Sequence, residues 1–251
     1  MYRPRSGTPQ KNNHLIQSVF FILLVTVAIY VLLQSPLFEI KTVVVNGNRQ
    51  LKKEDIIRYS GLQNGLNIFK INLSTSEERL GLVPFIKGVE MKRALPNKVI
   101  IEVEERNAVA LIPVENGFIK VDADGVYLQR GQIASALPII TGLAIQLKGP
   151  GKVIESEYLP AALKVLSQLP RPIIMKLSEL NFNKAGQITI YTIDGVQGRL
   201  GLMKDIEYKG IVFQQVLATL QQSDNKIQYI DLSNPRVPVV KYLKEPQEGR
   251  Q

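Results

Sequence analysis

Cysteine is absent from the 251 residues, and histidine occurs once. The first absence excludes disulfides, thiolate metal sites and cysteine nucleophiles together, so folded parts must be held by apolar cores alone. It leaves the compartment unassigned, since a chain without cysteine suits either side of a bacterial membrane. The lone histidine, His14, sits just before a long apolar run. No Ser-His-Asp arrangement, His-ligated zinc or imidazole acid–base is therefore open to the rest of the chain. A basic run of the kind nucleic-acid arms carry is missing as well. Of the net charge of +9, Arg3, Arg5 and Lys11 supply +3 within the first 14 residues, and the remaining +6 is interleaved with acids. The reading is of a protein with no cofactor, no metal, no nucleic-acid partner and no catalytic residues. Hydrophobic residues at 45% against 21% charged are those of a folded chain, not a disordered one.

What is present begins with Leu15 to Leu33, 19 residues broken only by Gln17, Ser18 and Thr26. At a helical rise of ~1.5 Å per residue the run spans about 28 Å, close to the hydrocarbon thickness of a bilayer. Basic residues before it, with no acid to balance them, predict a cytoplasmic N-terminus. A cleaved signal peptide is the competing reading. The run exceeds a usual signal core of ~7–15 residues, and Gln34-Ser35-Pro36-Leu37 lacks a small-x-small cleavage pattern. A tail (1–14), an uncleaved transmembrane helix (15–34) and two outward units (38–106 and 107–243) are expected, then a C-terminal tail (244–251).

In the nearer unit, Phe38 to Val45 reads as a strand ended by Asn46-Gly47-Asn48. Lys52 to Ser60 reads as a helix burying Ile56, Ile57 and Tyr59 and stopped by Gly61. Ser74 to Glu77 has the pattern of a capping box opening a second helix, with Leu80 and Val83 on its spacing and Pro84 as its stop. Gly88 to Arg93 and Lys98 to Glu104 read as strands joined at Leu95-Pro96-Asn97, the second alternating Ile101 and Val103 with Glu102 and Glu104. The order is β-α-α-β-β.

In the farther unit, Phe118 to Val121 and Val126 to Gln129 flank Asp122-Ala123-Asp124-Gly125. A hairpin turn fits that quartet better than a calcium loop, whose further acids are missing. Glu155 to Leu169 reads as a helix with Leu159, Leu163 and Leu166 on one face, and Asp205 to Gln222 as another with Ile211, Val216 and Leu220 as core. Lys176 to Phe182, Gln187 to Ile193, Ile227 to Leu232 and Val237 to Leu243 read as strands.

Gly61-Leu62-Gln63-Asn64-Gly65-Leu66-Asn67-Ile68-Phe69, Val89 to Asn97, and Glu102-Val103-Glu104-Glu105-Arg106 resemble the POTRA domain of the bacterial FtsQ/DivIB cell-division family. Val121 to Val126, the Leu200-Gly201 step before the Lys209 helix, and Tyr229-Ile230-Asp231-Leu232 resemble that family's β domain. One departure is Ser233, where family members commonly carry Arg. The fold class implied is α+β: a transmembrane helix, a POTRA domain, then a mixed β-rich domain with two helices.

The resemblance implies a non-enzymatic scaffold at the septum that binds the membrane-anchored FtsL and FtsB/DivIC and helps control septal peptidoglycan synthesis. Strand addition to the last strand is the expected mode, with Tyr229, Val237, Val239 and Tyr242 as contact candidates and Pro238 in keeping with an edge. A wall hydrolase using Asp122 and Asp124 is disfavoured, because neighbouring carboxylates in one turn usually cap backbone. A POTRA-bearing translocation component would need a large membrane barrel, for which residues 107–251 are too few.

Overall fold

The computed structural model describes residues 13–132, 136–220 and 227–243. The expected C-terminal tail, most of the N-terminal tail and Gln222 at the end of the expected second helix lie outside the described residues. The chain divides into two compact units, one running to Leu80 and including Gly88–Glu104, the other made of Gly81–Lys87 and residues from Glu105 onward.

The first unit opens with α1 (Asn13–Leu33). Its side chains from Leu15 to Leu33 are all exposed, so among the described residues none covers this apolar surface, as in a lipid-facing helix. Thr26, polar within it, donates its hydroxyl to the Ile22 carbonyl at 2.8 Å and is satisfied inside the helix.

Then come β1 (Thr42–Asn46), α2 (Lys53–Ser60), α3 (Leu73–Gly81), β2 (Ile86–Ala94) and β3 (Lys98–Glu105), in the expected β-α-α-β-β order. The strands form a sheet in the order β1-β3-β2, with β1 parallel to β3 and Val43 opposite Val99. Buried Val43, Ile56, Ile68, Leu80, Val99, Ile101 and Val103 make the core. Glu102 and Glu104 are exposed between them, which leaves the other face of the sheet wet.

Two local expectations are corrected. Ile56 is fully buried, but Ile57 is half-buried and Tyr59 is exposed, so α2 offers the core a single large apolar side chain. The capping box does not form either. α3 begins at Leu73, Asn72 accepts from the Thr75 amide at 3.3 Å, and Glu77 accepts instead from the Met91 amide at 2.7 Å. The Glu77 carboxylate satisfies a strand amide in place of its own helix's first turn.

The second unit contains β4 (Ala108–Val114), β5 (Gly117–Asp122), β6 (Tyr127–Gly131), β7 (Ile139–Thr141), α4 (Leu159–Gln168), α5 (Arg171–Ile174), β8 (Leu177–Phe182), β9 (Ile188–Thr192), β10 (Gln197–Gly201), α6 (Ile206–Leu220), β11 (Ile227–Asp231) and β12 (Val239–Tyr242). Nine strands join one mixed sheet in the order β12-β11-β10-β9-β8-β7-β4-β5-β6. Across its middle, Ile140, Leu180, Ile190, Gly198 and Ile230 lie in register and are all buried. This row belongs to the core that also takes Leu159, Leu163 and Leu166 of α4 and Phe213 and Leu217 of α6.

α6 turns a different face inward from the one expected. Ile206, Lys209, Val212, Phe213 and Leu217 are buried, while Ile211 is exposed and Val216 and Leu220 are half-buried. The parallel pair β10–β11 needs a crossover, and α6 supplies it.

Candidate functional site

The last strand lies at one edge of the nine-stranded sheet, and β6 lies at the other. β12 pairs only with β11, antiparallel, with Asp231 opposite Val239 and Ile230 opposite Val240. Its outer backbone groups have no partner strand among the described residues, which is the template that strand addition uses. Pro238 immediately precedes it and cannot donate to a ladder, a placement tolerated at an edge.

The candidate residues divide into two groups. Val237, Val239 and Tyr242 are exposed at 65%, 56% and 40%, so the edge shows apolar side chains to solvent. Tyr229 lies one strand inward on β11 and is half-buried. The Arg199 guanidinium sits 3.8 Å from its ring centroid, and the Lys241 ammonium sits 5.6 Å from it. Gln197, Tyr229 and Lys241 are neighbours in register, and Gln197 is linked to Tyr191 at 3.3 Å and to Arg199 at 3.4 Å. Tyr229 thus anchors a polar ladder on the face away from the helices, held by cation–π attraction of ~0.5–1 kcal/mol per exposed contact. Sequence reasoning missed Arg199 and Lys241, whose relation to Tyr229 needs the strand order.

The turn from β11 to β12 is held by its own side chains. The Ser233 amide donates to Asp231 Oδ1 at 2.9 Å, and the Arg236 amide to Asn234 Oδ1 at 3.2 Å. Ser233 packs beside Gly201, where an added Cβ would lie 3.2 Å from its Oγ. Lys209, on the buried face of α6, donates to the carbonyls of Leu200 at 2.5 Å and Leu202 at 3.2 Å and so fastens this end of β10.

Asp122 is buried and Asp124 about half exposed, and both carboxylates are taken up by ion pairs. Asp122 Oδ1 accepts from the amides of Asp124 and Val126, and Asp122 Oδ2 accepts from Arg106 at 2.6 Å. Asp124 is paired with Arg106 at 3.0 Å and Lys87 at 3.1 Å. The Lys87 hydrogen bond, with Arg106 beside it, holds the Asp124 carboxyl below the usual carboxylate range. Gly125, at φ 78°, closes the hairpin turn between β5 and β6.

A β-α-α-β-β unit behind an apolar helix, followed by a mixed-sheet unit that presents a free edge, defines a two-unit α+β protein of POTRA type. Residues 38–106 match the family model of the POTRA domain, FtsQ-type, and residues 110–233 match that of cell division protein FtsQ/DivIB, C-terminal. The chain belongs to the FtsQ/DivIB family of cell-division proteins. It is 35% identical over 111 residues to cell division protein DivIB of Clostridium tetani, a match that covers 44% of this chain and under half, 42%, of that protein. It is 26% identical to DivIB of Clostridium botulinum over 88% of each chain. With cell division protein FtsQ of Syntrophotalea carbinolica it shares 28% identity over 84% of this chain and 76% of that one.

Proposed function

We propose that this protein is a non-enzymatic scaffold of the division machinery, anchored by α1 with its N-terminus in the cytoplasm and its folded units outside. It acts at the septum, binding FtsL-like and FtsB/DivIC-like membrane-anchored partners and thereby helping to control septal peptidoglycan synthesis. The domain limits of this reading are those expected from the sequence, 15–34 for the anchor, 38–106 and 107–243 for the two outward domains.

The observation that carries the reading is β12: a terminal edge strand with Val237, Val239 and Tyr242 exposed. An extended partner segment adding to it would gain main-chain hydrogen bonds for affinity and side-chain contacts for specificity. Tyr229, stiffened by Arg199 and Lys241, offers a rigid aromatic ring next to that strand. β12 lies beyond the residues that the family model matches, which end at 233, so the strand-addition step rests on this chain's own geometry.

Truncation after Leu232 is expected to abolish partner pull-down while the remaining chain stays folded by circular dichroism. Unchanged binding by that folded truncation overturns strand addition. A fluorescent fusion of the full chain is expected to form a midcell band in dividing cells. A uniform membrane signal counts against the divisome reading.

A further inference from the structure

We propose that the loop Leu66–Phe69 of the first unit, with Leu37 beside it, seats in the headgroup region of the outer leaflet of the same bilayer that α1 crosses. This rests on the reading of α1 as a membrane span and adds to it a second, separate point of membrane contact.

The distance argument comes first. α1 ends at Leu33, and its apolar run matches the hydrocarbon thickness, so the Leu33 carbonyl lies at the outer hydrocarbon boundary. The side-chain amide of Asn67 donates to that carbonyl at 2.7 Å. The headgroup layer beyond the hydrocarbon is roughly 5–8 Å thick on each side, so a loop hydrogen-bonded to the end of the span lies within it.

The loop is also built to stay there. Asn67 Oδ1 accepts from the Phe69 amide at 2.9 Å. Arg93 donates from Nε to the Ile68 carbonyl at 2.8 Å and from a terminal nitrogen to the Ile71 carbonyl at 2.7 Å. The Phe38 and Phe69 rings meet at 5.1 Å, and the backbone around them is tied by the Ile68 amide to Phe38 and the Ile40 amide to Leu66, both at 2.8 Å.

What this fixed loop shows to the outside fits a lipid surface. Leu37, Leu66 and Phe69 are exposed at 49%, 40% and 42%; elsewhere in the unit, outside α1, Tyr59 and Leu95 are exposed as well. Lys41 and Lys70 flank them, both exposed. Apolar and aromatic tips bordered by lysines are the composition of an interfacial contact with anionic lipid: the rings enter the acyl boundary and the ammonium groups stay among the phosphates. With α1 as the first fixed point and this loop as the second, the tilt of the first unit against the membrane is restricted.

The chain contains no tryptophan, so single-tryptophan variants report position directly. The full chain is reconstituted in phosphatidylcholine–phosphatidylglycerol vesicles with lipid brominated in the upper or the lower acyl chain. Phe69→Trp and Leu66→Trp each place the indole at a half-exposed site, and two such variants guard against one misfolding. Lys53→Trp, at the far end of α2, and Val25→Trp, within the span, are the references. Phe69→Trp and Leu66→Trp are expected to be quenched about twofold by upper-chain bromine, as for a ring buried ~5–10 Å at the headgroup boundary, with Lys53→Trp unquenched. If Val25→Trp is quenched and neither loop variant is, the loop contact is refuted and the anchor stands. Quenching of Lys53→Trp as strong as that of the loop variants also refutes it, since the unit would then lie on the membrane as a whole. An unquenched Val25→Trp overturns the loop contact and the anchor together.

Discussion

The Lys209 ammonium donates to the Leu200 carbonyl at 2.5 Å from the buried face of α6, and its second acceptor, the Leu202 carbonyl, lies at 3.2 Å. Burial pushes the Lys209 amine below the usual lysine range, with Asp205 pulling the other way. A buried amine is tolerated here because these carbonyls replace lost water. Lys209→Met keeps much of the volume but leaves the Leu200 carbonyl short of this partner. Its apparent denaturation midpoint is expected to fall, by a stability equivalent of ~1–3 kcal/mol. A midpoint equal to the parent's would mean that the bond contributes nothing net.

That lysine also explains where sequence reading failed. The buried stripe of α6 is Ile206, Lys209, Phe213 and Leu217, spaced at three, four and four residues. A charged residue inside the stripe breaks the apolar pattern, and the apolar residues that stand out in its place, Ile211, Val216 and Leu220, do not share a face as well. β7 was missed because three residues are too few for a period to show. In β10, Gly198 and Gly201 dilute the strand signal. The elements that were legible had strong local punctuation: Gly61 after α2, the Leu95–Asn97 turn, and the Asp124-Gly125 corner. The edge position of β12 was anticipated from Pro238 and chain order, whereas the Arg199–Tyr229–Lys241 stack depends on a parallel register with β10 that no local pattern encodes.

Gly198 is required by the ring of Phe213. A Cβ at residue 198 would stand 2.8 Å from Phe213 Cε2 and 2.8 Å from Ile190 Cγ1. Neither neighbour is the free end of a flexible side chain, since both are fully buried. Gly198→Ala is therefore expected to destabilise the second unit by ~1–3 kcal/mol through overpacking, against the usual small gain from replacing glycine in a strand. Thermal unfolding of the full chain in detergent, followed by circular dichroism, reads the sign directly.

Asp124 gives a pH dependence of known sign. Its carboxyl is held low, first by the hydrogen bond from Lys87 and also by Arg106. A depressed folded-state value means that the stabilisation is present above the unfolded value of ~3.9 and is lost as pH falls through the folded one. With the carboxylate about half exposed, the gain at neutral pH is small, below ~1 kcal/mol, and screened by salt. Asp124→Asn is expected to lower the denaturation midpoint slightly at pH 7, with the difference from the parent closing in acid. A difference that persisted unchanged well below the carboxylate range would show that charge is not its origin.

The two edges of the large sheet are not equivalent, and this asymmetry makes the partner-binding proposal testable by point substitution. The exposed end of β6 carries Gln129 and Arg130, polar groups of the kind that discourage strand pairing. β12 instead shows Val239 and Tyr242, with Val237 just before it. A large aromatic ring on a paired strand is a typical binding hot spot, where truncation costs about 2 kcal/mol or more, or over tenfold in Kd. Tyr242→Ala is therefore expected to weaken binding of the membrane-anchored partner by more than tenfold, measured with the full chain in nanodiscs. Gln129→Ala, on the opposite edge, is expected to leave it unchanged. If Gln129→Ala weakens binding and Tyr242→Ala does not, the partner adds to β6 and the assignment of the terminal strand is wrong.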